Sequence, residues 1–475
     1  MLFNSAEFLL FLTLVFGLYW TIFKNRSRGK TWLLLLGSCI FYMCFIPKYI
    51  LILFITILID FFAAFKISKT TGRTQKTWLV LSLVSTCMVL FIFKYYNFFV
   101  ENTNAFAQLL GWNYSLESLN IVLPIGLSFH TFQSLSYVIE VYRGKQQPEK
   151  DFVTYSLYVM YFPQLVAGPI ERASNLLHQF HAKPQFNYVL AAEGMRQMLW
   201  GFFKKIVIAD TCAVYANAAF NDYDTLSSAS LILGAIAFAF QIYGDFSGYS
   251  DIALGTSKLF GIQLMRNFNV PYFAVSIPDF WRRWHISLST WFRDYVFIPM
   301  GGSRVSGWRF YRNVLVIFLI SGFWHGANWT FVVWGLIHAI AYCIYFAIWG
   351  NDKRRSSITR TSWKSLLGAL STFAIVTFAW IFFRAKNLHE AWGYIHASIT
   401  HSFSGNDVKQ FLPLLLVLIP FHTLEWINQK SDNGVLLSCF QLSKPLRLAI
   451  EMILALLIID CYYSLNHEQF IYFQF

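Results

Sequence analysis

Charge is scarce in this 475-residue chain: only 13% of residues are Asp, Glu, Lys or Arg, while 56% are hydrophobic and 19% aromatic. Soluble domains carry about 25% charged residues, and a globule with so few has little with which to cover its surface. That scarcity excludes a freely soluble fold. Linkers are missing too. No Pro/Gly/Ser-rich stretch, low-complexity tract or fixed-period repeat divides the sequence, so residues 1–475 read as one continuous domain. The seven cysteines, Cys39, Cys44, Cys87, Cys212, Cys343, Cys439 and Cys461, form no CxxC and lie mostly in or beside apolar runs. They read as small buried hydrophobes rather than a disulfide framework. HExxH, HxH and Cys/His clusters are absent, and the nearest pair, His178 with His181, has no acidic or sulfur ligand close in sequence. No metal and no permanently bound cofactor is expected. The opening residues lack the basic start and small-residue cleavage site of a secretory leader, and Glu7 interrupts them, so the first apolar run is expected to be retained.

What is present is a succession of apolar stretches with a mean hydropathy of +0.48. A spanning helix needs about 20 such residues. Spans are expected near 6–23, 31–46, 49–65, 77–99, 120–142, 152–170, 191–216, 228–243, 311–323, 326–348, 366–383, 411–427 and 446–463. Several are short for a crossing, and Pro124, Pro163 and Pro271 fall in or beside apolar runs. The expectation is an all-α, polytopic membrane protein of roughly 10 to 13 helices, with broken or re-entrant segments lining an interior cavity. Basic loops at 24–30, 66–76 and 143–150 alternate with a turn holding only Lys48 and with residues 101–118, which contain no Lys or Arg. The positive-inside rule then puts the N-terminus outside and a fourth basic loop, Lys353 to Lys364, in the cytoplasm. The net charge of +13 is mostly this topology signal plus contact with anionic membrane lipid. Nucleic acid is not an expected partner, because the basic residues are scattered between spans.

Polar chemistry concentrates between residues 241 and 339. "QIYGDFSGYSDIALG" places Tyr243, Asp245 and Asp251 beside an apolar run, and carboxylates at membrane depth usually face a bundle interior or wet cavity. They are either packing residues with satisfied hydrogen bonds or groups that line a substrate cavity. "IPDFWRRWHISLSTWFRDYVFIPMGGSR" follows. If residues 279–294 are helical, Asp279 and Arg283 are four apart, as are His285 and Ser289. Its tryptophans and arginines suit an interfacial segment, with Arg282, Arg283 and Arg293 reaching either the phosphates of an anionic donor or membrane lipid. His285 has two main readings, a hydrogen-bonded structural ring or a group that orients substrate.

The stretch "SGFWHGANWT" sets His325 at the join of two oily segments. Gly322, Gly326 and Ala327 are small enough to leave room beside its ring, while Trp324 and Trp329 can wall it. Asn328 follows, and His338 lies further along the next apolar run. A buried imidazole can be glue; it also remains a base that titrates near neutrality.

"FWRRWHISLSTWFRDYVFIPMGG" followed by "SGFWHGANWTFVVWGLIHA" resembles the membrane-bound O-acyltransferase family, and most of all its bacterial alginate O-acetyltransferase branch, which is related to the membrane protein that D-alanylates teichoic acids. "MLFNSAEFLLFL", "FPQLVAGPI", "QIYGDFSGYSDIALG" and "FIYFQF" fit that branch, so the resemblance covers nearly the whole chain. It implies helices around a central funnel or tunnel, with His325 of the Trp324-His325-Gly326 motif as the essential group and His285 in support. It also implies an acyl thioester donor, acetyl-CoA or an acyl carrier protein, and an acceptor hydroxyl on an extracytoplasmic polysaccharide such as alginate. An extracytoplasmic esterase-like acetyltransferase partner and polysaccharide synthesis or export machinery are implied as well, in the inner membrane of a bacterium. A histidine with a pKa near 6.5 suits removal of a hydroxyl proton, and such assistance is worth about 10² to 10⁴ in rate. Backbone N–H groups near Gly326, or the Trp324 indole, are candidates to meet the oxyanion. Two rivals stand beside this reading. A proton-coupled transporter would also use Asp245, Asp251 and a central histidine, although the two halves show no hydropathy repeat. A non-catalytic scaffold would tolerate loss of His325.

Overall fold

A computed structural model describes residues 1–165, 168–350, 363–428, 443–465 and 470–471. The described residues are helical, with no strand among them. In chain order the α-helices are α1 Ala6–Trp20, α2 Ser27–Met43, α3 Ile50–Lys69, α4 Gly72–Leu90, α5 Tyr96–Leu109, α6 Leu127–Tyr142, α7 Phe152–Met160, α8 Phe162–Leu165 and α9 Ala173–His181. They continue as α10 Tyr188–Phe202, α11 Asp210–Asn221, α12 Ser228–Leu259, α13 Ile277–Arg283, α14 Ile286–Phe292, α15 Trp308–His325 and α16 Trp329–Trp349. The last are α17 Trp363–Arg384, α18 Leu388–Thr400, α19 Gly405–Gln410, α20 Leu412–Asn428 and α21 Lys444–Ser464. The basic loop expected at Lys353 to Lys364 falls largely outside the described residues, as do Cys439, residues 166–167 of "FPQLVAGPI" and the last four of "FIYFQF".

Among the described residues, five helical stretches are long and apolar enough to cross a membrane: Pro47–Lys69, Gly72–Leu109, Ser228–Leu259, Trp329–Trp349 and Trp363–Arg384. The apolar helices α1 and α20 are shorter. Large apolar side chains stand exposed along these elements, such as Leu10, Leu14, Leu51, Ile344 and Leu416, as expected where lipid replaces water as solvent. The chain is a multi-pass helical membrane protein.

Each proline singled out in the sequence sits at or just before the start of a helical segment. Pro163 lies in the four-residue α8, Pro271 opens a 3₁₀ turn over Pro271–Phe273, and Pro124 precedes α6 in a turn closed by Gly126 at φ 75°. Elsewhere the helices are strained by π turns, at Phe91–Tyr95, Phe203–Ala209 and Arg293–Phe297. The polar run 241–255 continues α12 without interruption to Leu259. One local expectation changes. Residues 279–294 form two short helices instead of one, because the chain turns at Trp284 and His285 takes a left-handed φ of 42°.

The chain packs as two compact units, Met1–Ala192 with Thr256–Met265, and Glu193–Gly255 with Arg266–Phe475. Inside the first, Asp60 of α3 is buried and accepts hydrogen bonds from Ser82 Oγ at 2.6 Å and Thr86 Oγ1 at 3.2 Å, which joins α3 to α4. Inside the second, glycines bring backbones together. A Cβ added to Gly322 would stand 2.3 Å from the Phe331 carbonyl oxygen, and one on Gly335 would stand 2.3 Å from that of Phe318, so α15 and α16 form a tight hairpin. Gly201 and Gly248 do the same for α10 and α12, a Cβ on Gly201 falling 2.7 Å from the Gly248 oxygen.

Candidate active site

The second unit holds every candidate site residue. His325 is the last residue of α15, where Gly326 leaves the helix in an extended conformation. Its ring is buried, with Trp324, Trp334 and Phe383 at centroid distances of 4.9, 5.1 and 5.4 Å. The aromatic wall expected from Trp324 is there, whereas Trp329 is exposed. Room was expected beside Gly326, but the Phe331 ring occupies that side; an added Cβ would lie 2.0 Å from it. The Gly326 N–H donates to the Gly322 carbonyl at 3.3 Å, so it closes the helix rather than facing an oxyanion. Asn328 caps α16: its Oδ1 accepts from Thr330 N at 3.0 Å and its Nδ2 donates to the Lys386 carbonyl at 2.8 Å. His338, one helical stretch later, is buried with its ring 4.9 Å from Trp334, the indole that also meets His325.

His285 is held by polar bonds. The segments 267–269 and 283–286 are zipped by backbone bonds, Ile286 N to Asn267 O at 2.8 Å and Asn269 N to Arg283 O at 2.9 Å. That pairing, together with the Ser289 N bond to His285 O at 3.0 Å, sustains the left-handed backbone at His285. Its Nδ1 lies 3.1 Å from Asn267 Oδ1, and Phe246 meets the ring edge to face at 4.7 Å. Burial lowers the His285 pKa to about 3, so the ring is neutral at ordinary pH. Trp324 stands near both motif histidines, 6.4 Å from His285 and 4.9 Å from His325. Ser289 Oγ donates to the Trp284 carbonyl at 3.2 Å.

The α12 carboxylates belong to a buried network that the sequence only half revealed. Asp245 pairs with Lys205 at 2.8 Å, and Lys205 also reaches Asp210 at 2.8 Å; Ile471 N donates to Asp245 Oδ2 at 2.6 Å. Asp251 pairs with Lys204 and accepts from Gln197 Nε2 at 3.0 Å, while Tyr243 donates its hydroxyl proton to Glu425. A polar cavity of about 20 Å³ lies among Lys204, Tyr243, Asp251, Arg266, Asn267 and Glu425, room for a water or two. The lysines and Glu425 went unremarked in the sequence. Their signal was charge inside apolar runs, at 191–216 and 411–427.

The three candidate donor-binding arginines are partly or largely exposed and paired with carboxylates. Arg282 and Arg283 share Asp279, at 3.6 and 3.1 Å, which confirms the Asp279–Arg283 spacing on α13. Arg293 pairs with Asp294 at 2.8 Å and is largely exposed. Among the described residues no group of three or more His, Cys, Asp or Glu side chains is placed to hold a metal ion.

Comparison with known proteins adds to this geometry. Residues 149–384 match the model of the membrane-bound O-acyltransferase family. The chain is 36% identical over 458 residues to a peptidoglycan O-acetyltransferase of Helicobacter pylori, covering 91% of this chain and 83% of that protein. It is 39% identical over 447 residues to a probable alginate O-acetylase of Pseudomonas aeruginosa, covering 90% and 83%. A teichoic acid D-alanyltransferase of Bacillus subtilis is 28% identical over 295 residues, covering 57% and 71%.

Proposed function

The chain belongs to the membrane-bound O-acyltransferase family, and on that premise we propose that it moves an acetyl group from a cytoplasmic thioester towards hydroxyls of an extracytoplasmic glycan in a bacterial inner membrane. The acyltransferase activity follows from the family. Acetyl is favoured over D-alanyl because the relatives named for O-acetyl transfer are more similar to this chain, over more of its length, than the D-alanyl one. Acetyl-CoA serves as donor in this reading, with an acyl carrier protein as the alternative source. The acceptor hydroxyl belongs either to the glycan, alginate or another polysaccharide, or to the serine of an extracytoplasmic esterase-like partner working with the export machinery.

The observation that carries the reading is His325, buried among Trp324, Trp334 and Phe383 in the family's tryptophan-histidine-glycine motif. Its imidazole takes the proton from the acceptor O–H as that oxygen attacks the thioester carbonyl carbon. A C–O bond forms, the tetrahedral oxyanion collapses, the C–S bond breaks, and the leaving thiolate receives the proton from the imidazolium. With the Gly326 N–H engaged in its helix, the Trp324 indole N–H is the nearer donor for the oxyanion. The donor approaches from the cytoplasmic side and the acceptor from the other, through a funnel whose thin middle lies at the two histidines; Arg282, Arg283 and Arg293 draw in donor phosphates. The orientation is that of the basic loops, with residues 24–30, 66–76 and 143–150 in the cytoplasm.

The test is single-turnover transfer of radiolabelled acetyl from acetyl-CoA by purified protein in nanodiscs, with and without an acceptor serine ester trap, counted per folded molecule. His325→Ala is expected to lower the rate by about 10² to 10⁴ while donor affinity persists. A near-wild-type rate in that variant overturns the assignment.

A further inference from the structure

Asn267 lies 18 residues before His285 in sequence, outside the histidine's own motif, yet its side chain is completely buried beside that ring. Its Oδ1 is the meeting point of three groups. Ser287 N approaches at 3.2 Å, Ser287 Oγ at 2.9 Å and His285 Nδ1 at 3.1 Å. The first of these decides the chemistry. A backbone N–H can only donate, so the atom it meets is the amide oxygen and not the NH₂, which fixes which way the amide is turned. An amide oxygen can only accept. His285 Nδ1 facing that oxygen therefore carries the proton, and in a neutral ring the lone pair is left on Nε2.

We propose that Asn267 is a positioning residue that locks His285 in its Nδ1–H tautomer and so makes Nε2 the nitrogen able to accept a hydrogen bond at the reacting centre. The inference rests on the reading of His285 as part of the acyl-transfer site. The surroundings are built for this. Asn267 O accepts from Ile286 N at 2.8 Å, so the same residue fixes both the backbone turn and the ring of the histidine. Val270, three residues on, takes a left-handed φ of 41° although it is β-branched, strain that the zipper between 267–269 and 283–286 holds in place. Asn267 also lines the polar cavity with Lys204, Asp251 and Glu425, so the clamp stands next to the ionic network of α12. A wrong tautomer is costly wherever an imidazole must accept a proton at one particular nitrogen.

The experiment has two independent readouts on the full chain in nanodiscs. ¹⁵N spectra of histidine-labelled protein, with the His285 signals identified by their loss in His285→Gln, should show a protonated Nδ1 and a bare Nε2. A protonated Nε2 overturns the proposal outright. In transfer assays, Asn267→Leu should lower kcat by about 10²-fold with KM within about twofold, and Asn267→Asp, which keeps an acceptor for Nδ1–H and Ser287, should restore most of it. Equal activity of Asn267→Leu and wild type per folded molecule sinks the positioning role. If Nδ1 is protonated but His285→Gln transfers at the wild-type rate, the failure lies in the reading of His285 itself.

Discussion

His325 and His285 are both buried, yet they are built from different materials. Around His325 the contacts are rings, Trp324, Trp334 and Phe383, and the backbone beside it is closed by Phe331 packed on Gly326. Around His285 an amide oxygen, a serine and a backbone zipper add polar contacts to the rings of Phe246, Phe268 and Trp324. Ring walls hold a side chain in place by packing, which suits a group whose protonation must change during reaction. Polar clamps choose a tautomer and keep it. The difference separates a ring that reacts from a ring that is set.

The largest effect expected from this contrast is on turnover. His325→Ala should lose about 10² to 10⁴ in transfer rate per folded molecule. His285→Ala should lose less rate, and more folded protein, because Asn267 and Ser287 are left without a shared partner in a buried site. Rates and melting temperatures measured together on the two variants check this; a larger rate loss at His285 would reverse the roles.

The ionic network gives the next effect. Lys205→Met keeps the side-chain volume but leaves Asp210 and Asp245 without the ammonium between them, and removal of one partner of a buried pair costs about 3 to 5 kcal/mol. Its expected readout is a strongly lowered melting temperature, with transfer per surviving folded molecule much less affected. Trp334→Phe, which trims the His325 wall and introduces no charge imbalance, should cost far less stability. Equal losses in the two would erase the distinction between a polar and an aromatic setting.

Much of this was legible in the sequence, and the residues show why the rest was not. Asp279 and Arg283 at helical spacing do meet, and Pro124, Pro163 and Pro271 do mark helix starts, because spacing and a missing N–H are local facts. The break at His285 was not legible, since it depends on pairing with Asn267 and Asn269 across a turn. Gly322 and Gly326 looked like open space; sequence cannot say whether a missing Cβ leaves a gap or lets Phe331 in. The partners of Asp245 and Asp251 came from lysines some forty residues away, Lys205 and Lys204, visible only as charges out of place in an oily run.

Acid provides a gentler way to separate the two histidines. The His285 pKa is lowered to about 3 by burial, while an unfolded histidine titrates near 6.5. Above pH 6.5 both states are neutral and the group contributes no slope. As pH falls from about 6.5 towards 3 the unfolded chain binds a proton that the native site refuses, so stability should drop by up to about 1.4 kcal/mol per pH unit from this residue. Melting curves of wild type and His285→Gln across that window check the sign: the variant should lose less stability on acidification. Parallel curves would mean that His285 protonates as easily folded as unfolded, and that its burial does not hold it neutral.

The smallest effect belongs to the arginines, which stand outside both settings. Arg283 is only partly exposed and already shares Asp279 with Arg282, so it has limited positive charge left to offer a phosphate. If it touches the donor, that contact is made equally in the ground and transition states, because the phosphates lie far from the thioester in coenzyme A. Arg283→Gln should therefore raise the donor KM several-fold with kcat nearly unchanged. Arg293→Gln, whose side chain is more exposed and paired with its neighbour Asp294, should change KM less. Steady-state kinetics at two salt concentrations read both predictions, since screening weakens a real phosphate contact and leaves a spectator arginine as it was. A fall in kcat at constant KM for Arg283→Gln would move that residue from the donor path to the support of α13, next to the turn that carries His285.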